Sequence, residues 1–294
     1  FLLSIASYNI FFANSSVLLN KQLLGLLAAC TMAFLMGLAD DAYNTKPLLK
    51  LSIQILCGMI LIYAGIFIKL FSYDPLNYFV TIIWVVGVMN SINMLDNMDS
   101  ISTLVSIYIL ASAIIMRYLQ NDFHGVYFLI LVGTVASLCG FLYYNWHPSK
   151  LFMGDTGSQF LGIILAATGI ICFFNSPDYF GRTFVTKEII STALIFIIPI
   201  TDTVTVIINR IRKGKSPFVG GRDHTTHHLF YLGITEKRIA LLFSFISFLS
   251  MILVIIINRF IFFWNWLYIL ILFAYFLLVF GLLYYSTQLR QEIK

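Results

Sequence analysis

The sequence predicts an all-α fold, a polytopic bundle of helices embedded in a membrane, and three observations predict it. Hydrophobic residues fill 60% of the 294 positions and charged residues only 11%, with a mean hydropathy of +0.91. A soluble domain carries roughly 25% charged residues. Apolar runs long enough to span a bilayer, about 20 residues at roughly 1.5 Å of rise each, recur along the chain. The few acids, amides and histidines gather in short clusters between those runs.

Ten runs meet the length requirement: about 1–19, 22–39, 48–68, 76–93, 101–119, 124–144, 157–174, 188–208, 239–258 and 261–285. The second ends on Asp40-Asp41. The third opens after Pro47, whose fixed φ and missing N–H suit the first turn of a helix. The sixth ends in Tyr143-Tyr144-Asn145-Trp146, aromatic and polar in the way expected at a lipid–water interface. No internal repeat or low-complexity segment divides the chain, so residues 1–294 are expected to form a single transmembrane domain. Cys30, Cys57, Cys139 and Cys172 lie inside apolar runs without metal-ligand spacing and read as small buried hydrophobes.

Alternating spans place the segments 40–47, 94–100, 145–156 and 209–238 and the C-terminal tail on one side. Of the 18 lysines and arginines, twelve fall on that side, counting the adjoining Lys50, and six on the other. The positive-inside bias makes the first side cytoplasmic, C-terminus included. The net charge of +5 then reflects topology, since the bases are not gathered on a soluble domain that could bind nucleic acid.

Four polar clusters share that side. In Asp40-Asp41 two adjacent carboxylates repel unless a cation or proton is shared, which suits metal binding or a base of raised pKa. A solvated helix exit is the competing reading. In Asn90-Ser-Ile-Asn-Met-Leu-Asp-Asn-Met-Asp-Ser100, the residues Asn93, Asp96 and Asp99 repeat every three positions and form a drifting stripe on a helix. Two carboxylates and an amide suit a nucleotide or a hydrated metal; a turn capped by Asn97 or Asp99 accounts for them without a ligand. Phe152-Met-Gly-Asp-Thr-Gly-Ser158 enters a helix through small residues, so its backbone N–H groups can face a phosphate while Asp155 holds Mg²⁺ against it. Capping of the helix by Asp155 or Thr156 is equally consistent. Gly220-Gly-Arg-Asp-His-Thr-Thr-His-His228 sets His224, His227 and His228 at i, i+3, i+4 beside Arg222. Zinc ligation and anion binding both use such residues, and nearby Arg210, Arg212, Lys213 and Lys215 favour the anion.

Asp202 lies about six residues inside the 188–208 span and needs a cationic partner, for which Arg210, two turns on, is a candidate. Its expected role is structural. Together the clusters equip one face for a phosphorylated substrate at the membrane surface. A transporter of sugar nucleotides or other anions would instead place charged or helix-breaking residues near the middle of several spans.

At these residues the chain resembles the polyprenyl-phosphate N-acetylhexosamine-1-phosphate transferases. These include enzymes that start O-antigen and teichoic acid synthesis and the phospho-MurNAc-pentapeptide transferase of peptidoglycan. Asp40-Asp41, with Lys50 and Gln54 after it, is similar to the family's tandem-aspartate motif. Asn90–Ser100 is similar to its asparagine–aspartate motif, although Asn97 and Ser100 stand where the family usually has glycines. Asn145 with Phe152–Ser158 is similar to its metal-binding segment, and Arg222–His228 to the histidine motif of the O-antigen-initiating branch.

The resemblance implies that a UDP-N-acetylhexosamine, most closely UDP-GlcNAc, and undecaprenyl phosphate give a polyprenyl-diphosphate sugar and UMP, with Mg²⁺ or alternatively Mn²⁺. The peptidoglycan-type transfer is the runner-up. It implies a multi-pass protein of the inner (plasma) membrane, with about eleven spans in the full-length protein and a homodimer as a further expectation. By this likeness Asp155 binds the metal, and Asp40, Asp41, Asp96 and Asp99 form the catalytic carboxylates, Asp40 or Asp41 deprotonating or orienting the lipid phosphate. Asn93, Asp96, Asn145 and Phe152 line the nucleotide site, with Phe152 on the uracil, and Lys50 joins the substrate-binding set. Arg222, His224, His227 and His228 hold the diphosphate.

Overall fold

The computed structural model describes residues 20–123, 125–216, 221 and 223–289. Among these residues eleven α-helices follow one another: α1 Lys21–Tyr43, α2 Pro47–Tyr63, α3 Asp74–Leu95, α4 Ile101–Leu119, α5 Val126–Asn145, α6 Gly154–Gly169, α7 Val185–Ile195, α8 Ile197–Arg212, α9 Thr225–Tyr231, α10 Glu236–Phe260 and α11 Trp266–Gln288. A π-helical turn, Ile170–Phe174, prolongs α6. Within hydrocarbon a helix satisfies its own backbone polar groups, and each expected apolar run in the described residues is helical over most of its length. The expected run 1–19 lies outside them.

Seven helices are long and apolar enough to cross a membrane: α1, α3, α4, α5, α6 with its π turn, α10 and α11. The α7–α8 pair passes only as a unit and is bent by 77°, and α2 has 17 residues. Among the described residues the structure is therefore a polytopic bundle of seven such helices, or eight with the bent pair; these residues hold nine of the ten runs the sequence suggested. The run 188–208 was expected to be one helix and is two. Pro199, third residue of α8, has no N–H to offer the Ile195 carbonyl, so the ladder breaks at Phe196 and restarts.

The run expected to reach residue 68 stops at Tyr63. Gly65, at φ +86°, ends the helix, and the chain continues without helical structure. Side chains take over the freed backbone donors: Ile68 N–H donates to Thr81 Oγ1 at 2.9 Å, Lys69 N–H to Asn175 Oδ1 at 2.9 Å and Leu70 N–H to Asn77 Oδ1 at 3.1 Å. At this end of the bundle a buried Asp178 pairs with Lys187 at 2.9 Å and Arg182 at 3.1 Å.

The core is built around α6. From Ser158 to Ile170 all of its residues except Phe160 are buried, and it packs on α1 and α3. Two glycines permit these approaches. A Cβ at Gly162 would lie 2.8 Å from Met89 Cα of α3, and one at Gly37 of α1 would lie 2.4 Å from the Asp155 carbonyl oxygen. On the outside, Phe245 of α10 and Leu278 and Leu282 of α11 are exposed, as apolar faces toward lipid should be.

Candidate active site

The polar clusters meet at the N-terminal end of α6, and the first contact there is a helix cap supplied by another helix. α1 continues past its expected end to Tyr43, so Asp40 and Asp41 sit on its last turn, about 100° apart around the axis. Their carboxylates accordingly serve different partners. Asp41 Oδ1 accepts from the Asp155 N–H at 2.9 Å, and its Oδ2 accepts from the Thr156 N–H at 2.9 Å and Thr156 Oγ1 at 2.5 Å. A carboxylate is well placed at a helix N-terminus, where unpaired N–H groups carry partial positive charge. The sequence offered these N–H groups to a phosphate, or gave their capping to Asp155 or Thr156; in the structure Asp41 occupies them. Gly154, at φ +66°, makes the approach possible, since a Cβ there would lie 3.0 Å from Asp41 Oδ2.

Asp40 turns to Lys50. Its Oδ1 accepts from the Thr45 N–H at 2.9 Å and Thr45 Oγ1 at 2.5 Å, and its Oδ2 from Lys50 Nζ at 2.9 Å. The same ammonium donates to Asp155 Oδ1 at 3.0 Å and Asn93 Oδ1 at 3.1 Å. Asn93 Nδ2 in turn donates to Asp155 Oδ1 and, at 2.9 Å, to Ser158 Oγ. One lysine of α2 thus ties α1, α3 and α6 together. Beneath it Gln54 Nε2 donates to Gln159 Oε1 at 3.1 Å and Asn90 Nδ2 donates to Gln54 Oε1 at 2.8 Å, an amide layer that floors the cluster.

The stripe expected of Asn93, Asp96 and Asp99 does not form, because α3 ends at Leu95 and the chain turns. Asp96 accepts from Ser102 Oγ at 2.6 Å. Burial pushes its carboxyl up to about 7, with the charges of Asp155, Asp41 and Asp99 adding to the rise and Ser102 opposing it. Asp99 faces the 145–150 segment instead, accepting from the Ser149 N–H at 3.0 Å and Ser149 Oγ at 2.8 Å and meeting His147 Nδ1 at 2.9 Å. Burial works to raise its pKa, but these bonds hold it below the usual carboxylate range. His147 Nδ1 also lies 3.1 Å from Glu236 Oε2, so Asp99, His147 and Glu236 stand at ligand-like spacing. Hydrogen bonds within the cluster account for that spacing. Asn145 is buried: its Oδ1 accepts from the Ser100 N–H and Thr103 Oγ1, both at 3.0 Å, and its Nδ2 donates to the Leu151 carbonyl at 3.0 Å. Phe152 is 74% exposed beside this segment.

Of the two positions where glycine was expected, Ser100 is the one in the left-handed region, at φ +64°. Asn97 serves as a bridge. Its Nδ2 donates to the Met94 carbonyl and its Oδ1 accepts from Thr226 Oγ1, both at 2.6 Å, which joins the asparagine–aspartate stretch to the histidine segment.

In that segment His224 precedes α9, while His227 and His228 lie on it; the rings of His224 and His227 are 5.9 Å apart. Asp202, expected to pair with Arg210, pairs with this segment instead. It meets His224 Nδ1 at 2.9 Å and accepts from the Thr225 N–H at 2.9 Å and Thr225 Oγ1 at 2.6 Å. Arg210 forms a two-bond fork with Asp223, at 2.8 and 2.7 Å, which holds the Asp223 carboxyl below its usual range. The segment folds back along α8, so each α8 residue meets the nearest part of it. Burial, and then Lys213, lower the pKa of His228. Arg222 lies outside the described residues.

Sequence reasoning missed the in-trans cap by Asp41 and the roles of Thr45, Ser158 and Asn97. Only Thr45, a hydroxyl just past a helix end, carried a local signal, as a residue type that favours caps and turns. The donor set around Lys50 consists of the Asp40 and Asp155 carboxylates and the Asn93 amide oxygen. Such hard oxygen ligands are of the type that fits Mg²⁺ or Mn²⁺, and the Lys50 ammonium lies among them.

The model of glycosyl transferase family 4 matches residues 23–173, just over half of the chain. Over 253 residues the chain is 28% identical to the probable undecaprenyl-phosphate N-acetylglucosaminyl 1-phosphate transferase of Bacillus subtilis (strain 168), covering 83% of this chain and 68% of that protein. It is 29% identical over 231 residues to the decaprenyl-phosphate N-acetylglucosaminephosphotransferase of Mycobacterium leprae (strain TN), covering 70% of this chain and 57% of the relative. It is 32% identical over 179 residues to the phospho-N-acetylmuramoyl-pentapeptide-transferase of Kosmotoga olearia, covering 61% of this chain and 51% of the relative. The chain thus spans little more than half the length of the latter two relatives. The matched range contains Asp40, Asp41, Lys50, Asn93 and Asp155, the residues joined at the start of α6. By fold, clustered residues and matched range together, the chain belongs to glycosyl transferase family 4.

Proposed function

We propose that the protein transfers N-acetylhexosamine-1-phosphate, GlcNAc-1-phosphate in first place, from a UDP-sugar to undecaprenyl phosphate and releases UMP, as the first membrane step of a cell-envelope polysaccharide. The observation that carries the reading is the Lys50 cluster, in which Asp40, Asn93 and Asp155 from three helices converge on one ammonium at the start of α6. The printed names of the B. subtilis and M. leprae relatives supply the substrate class. The excess of bases on the same side of the spans as these clusters supports a cytoplasmic site, on the side where UDP-sugars are made.

In this reading an oxygen of the lipid phosphate attacks the phosphorus that carries the sugar. The bond from that phosphorus to the bridging oxygen breaks, and UMP leaves with the oxygen and its electron pair. Phosphoryl transfer needs alignment and charge neutralisation more than covalent help. Asp155 would hold a divalent cation, which would supply charge neutralisation at the diphosphate. Lys50, fixed by three oxygens, presents positive charge without having to be ordered first. Asp41 keeps the Asp155 loop in register, Asp40 orients the acceptor phosphate, and exposed Phe152 offers a face to the uracil. Asn93 and Asp96 line the nucleotide site, with Asp99 and Asn145 holding the loops that frame it. Arg222, His224, His227 and His228 take the diphosphate oxygens.

The test is to give membranes containing the whole protein radiolabelled UDP-GlcNAc, undecaprenyl phosphate and Mg²⁺. Labelled lipid that releases GlcNAc-1-phosphate is expected. No labelled lipid with any UDP-N-acetylhexosamine, UDP-MurNAc-pentapeptide included, would sink the reading.

A further inference from the structure

We propose that Thr45 is a positioning residue for the transfer: its hydroxyl and N–H together take Asp40 Oδ1, leave only Oδ2 to face Lys50, and so keep the ammonium shared with Asp155 and Asn93. This inference rests on the transferase reading given above and adds to it a residue outside the four polar clusters.

The local sequence builds the arrangement. α1 ends at Tyr43, and Asn44, at φ +49°, turns the chain in the left-handed region that asparagine tolerates. Its N–H closes the helix on the Asp40 carbonyl at 2.8 Å. The turn brings Thr45 back to the Asp40 side chain, where its N–H donates to Oδ1 at 2.9 Å and its Oγ1 donates to the same oxygen at 2.5 Å. Pro47 then starts α2, whose first turn carries Lys50 to Oδ2 at 2.9 Å. One short connection thus delivers a partner to each oxygen of the same carboxylate.

Covalent geometry does not fix which way that carboxylate faces, because the terminal torsion of aspartate is broad and roughly twofold. Its partners fix it. The Asp40 side chain is 10% exposed, so open water is a poor substitute for a lost partner at Oδ1. An ammonium has three donors, and Lys50 directs them to Asp40 Oδ2 at 2.9 Å, Asp155 Oδ1 at 3.0 Å and Asn93 Oδ1 at 3.1 Å. With Oδ1 released, Asp40 can turn both oxygens to the ammonium and draw it away from α3 and α6. Thr45 hydrogen-bonds neither Lys50 nor Asp155 and acts on them through Asp40.

The competing account is that Thr45 merely closes the end of α1. Its loss would then lower stability and leave Lys50 where it stands. The experiment compares wild type, Thr45→Val and Thr45→Ser, each as the whole protein in lipid nanodiscs. Valine keeps the shape of threonine and the backbone N–H and removes only the hydroxyl; serine keeps the hydroxyl. The readouts are kcat, KM for the UDP-sugar and for undecaprenyl phosphate, the thermal midpoint, and high-resolution structures of wild type and Thr45→Val that locate Lys50 Nζ.

We expect Thr45→Val to lower kcat on the order of tenfold or more, as lost alignment at a reacting centre does, while KM for either substrate moves less than about threefold. Thr45→Ser should keep kcat within about twofold of wild type, since the bond to Oδ1 survives. In the wild-type structure Lys50 Nζ should lie within about 3.2 Å of both Asp155 and Asn93, and in Thr45→Val it should be beyond that distance from at least one of them. An ammonium left in place by Thr45→Val, an unchanged kcat, or a loss from Thr45→Ser as large as that from Thr45→Val would each overturn the inference. If Thr45→Val does not fold, Thr45→Ala takes its place under the same criteria. The position of Lys50 needs no turnover, so an inactive wild type counts against the transferase reading and an unmoved ammonium against this one.

Discussion

Lys50 and Asp155 show how single side chains share one electrostatic task. The Lys50 side chain is 17% exposed and its ammonium touches two carboxylates and an amide oxygen, so removing any partner leaves charge without compensation. Asp155→Asn keeps the shape of the loop and halves the carboxylate charge at the cation position. We expect it to lower lipid-product formation on the order of 10²-fold or more, as loss of a charge-stabilising group does in phosphoryl transfer, and to abolish Mn²⁺ binding read by electron paramagnetic resonance. Undiminished product would remove the metal role from Asp155 while leaving the activity in place. Asp96 makes a different prediction, because its folded pKa of about 7 stands above the ordinary value of 3.8. Between those values the folded protein holds a proton that the unfolded chain has lost. Stability therefore falls as pH rises toward 7 and levels off above it. The thermal midpoint of the wild type should drop from pH 5 to pH 8 by more than that of Asp96→Asn; equal drops would show that the carboxyl is ionised throughout.

At the scale of elements, the decisive contact is α1 against the first turn of α6. The glycine at 37 lets the two backbones meet, and Asp41, one turn on, can then reach the Asp155 and Thr156 N–H groups. Gly37→Ala would set a methyl 2.4 Å from the Asp155 carbonyl oxygen, with backbone on both sides and no flexible side chain to give way. Overpacking of this kind costs roughly 1–3 kcal/mol. Here it should also displace Asp155, so transfer should fall at least tenfold even where the detergent-solubilised thermal midpoint drops only a few degrees. Retained activity would mean that the α1–α6 approach is not needed for the site. The same contact marks the boundary of what the sequence reveals. Apolar length alone located α1, α3, α4, α5 and α10, because a membrane demands about 20 such residues whatever the neighbours are. The clusters were legible as residue types, since carboxylates and amides stand out against apolar runs. Their partners were not, because Asp41 with Thr156, Asn97 with Thr226 and Asp202 with His224 are long-range pairs that no local period encodes. The break at Phe196 had a signal in Pro199, but the apolar run across it reads as one helix. Short α9 was hidden in a loop because seven residues are too few to establish a helical period.

The whole molecule has two unlike ends. One carries the Lys50 cluster, exposed Phe152 and the histidine segment. The other carries the buried pair Asp178 and Lys187, with half-buried Arg182, at the far end of α6 and its π turn. α6 and its π turn form a single 21-residue apolar stretch long enough to cross a membrane, and the two groups lie at its opposite ends. The proposed activity commits the first end to the cytoplasm, since the UDP-sugar is made there and its diphosphate cannot cross unaided. Single cysteines test this in intact cells. Phe152 is 74% exposed and Thr183 is exposed at the other end, while Cys30, Cys57 and Cys172 are buried and Cys139 can be changed to alanine. A membrane-impermeant maleimide should label Thr183→Cys from outside and reach Phe152→Cys only after the membrane is opened. The reverse pattern would place the cluster on the outer face, where no nucleotide sugar is supplied, and would refute the donor assignment while leaving the fold untouched.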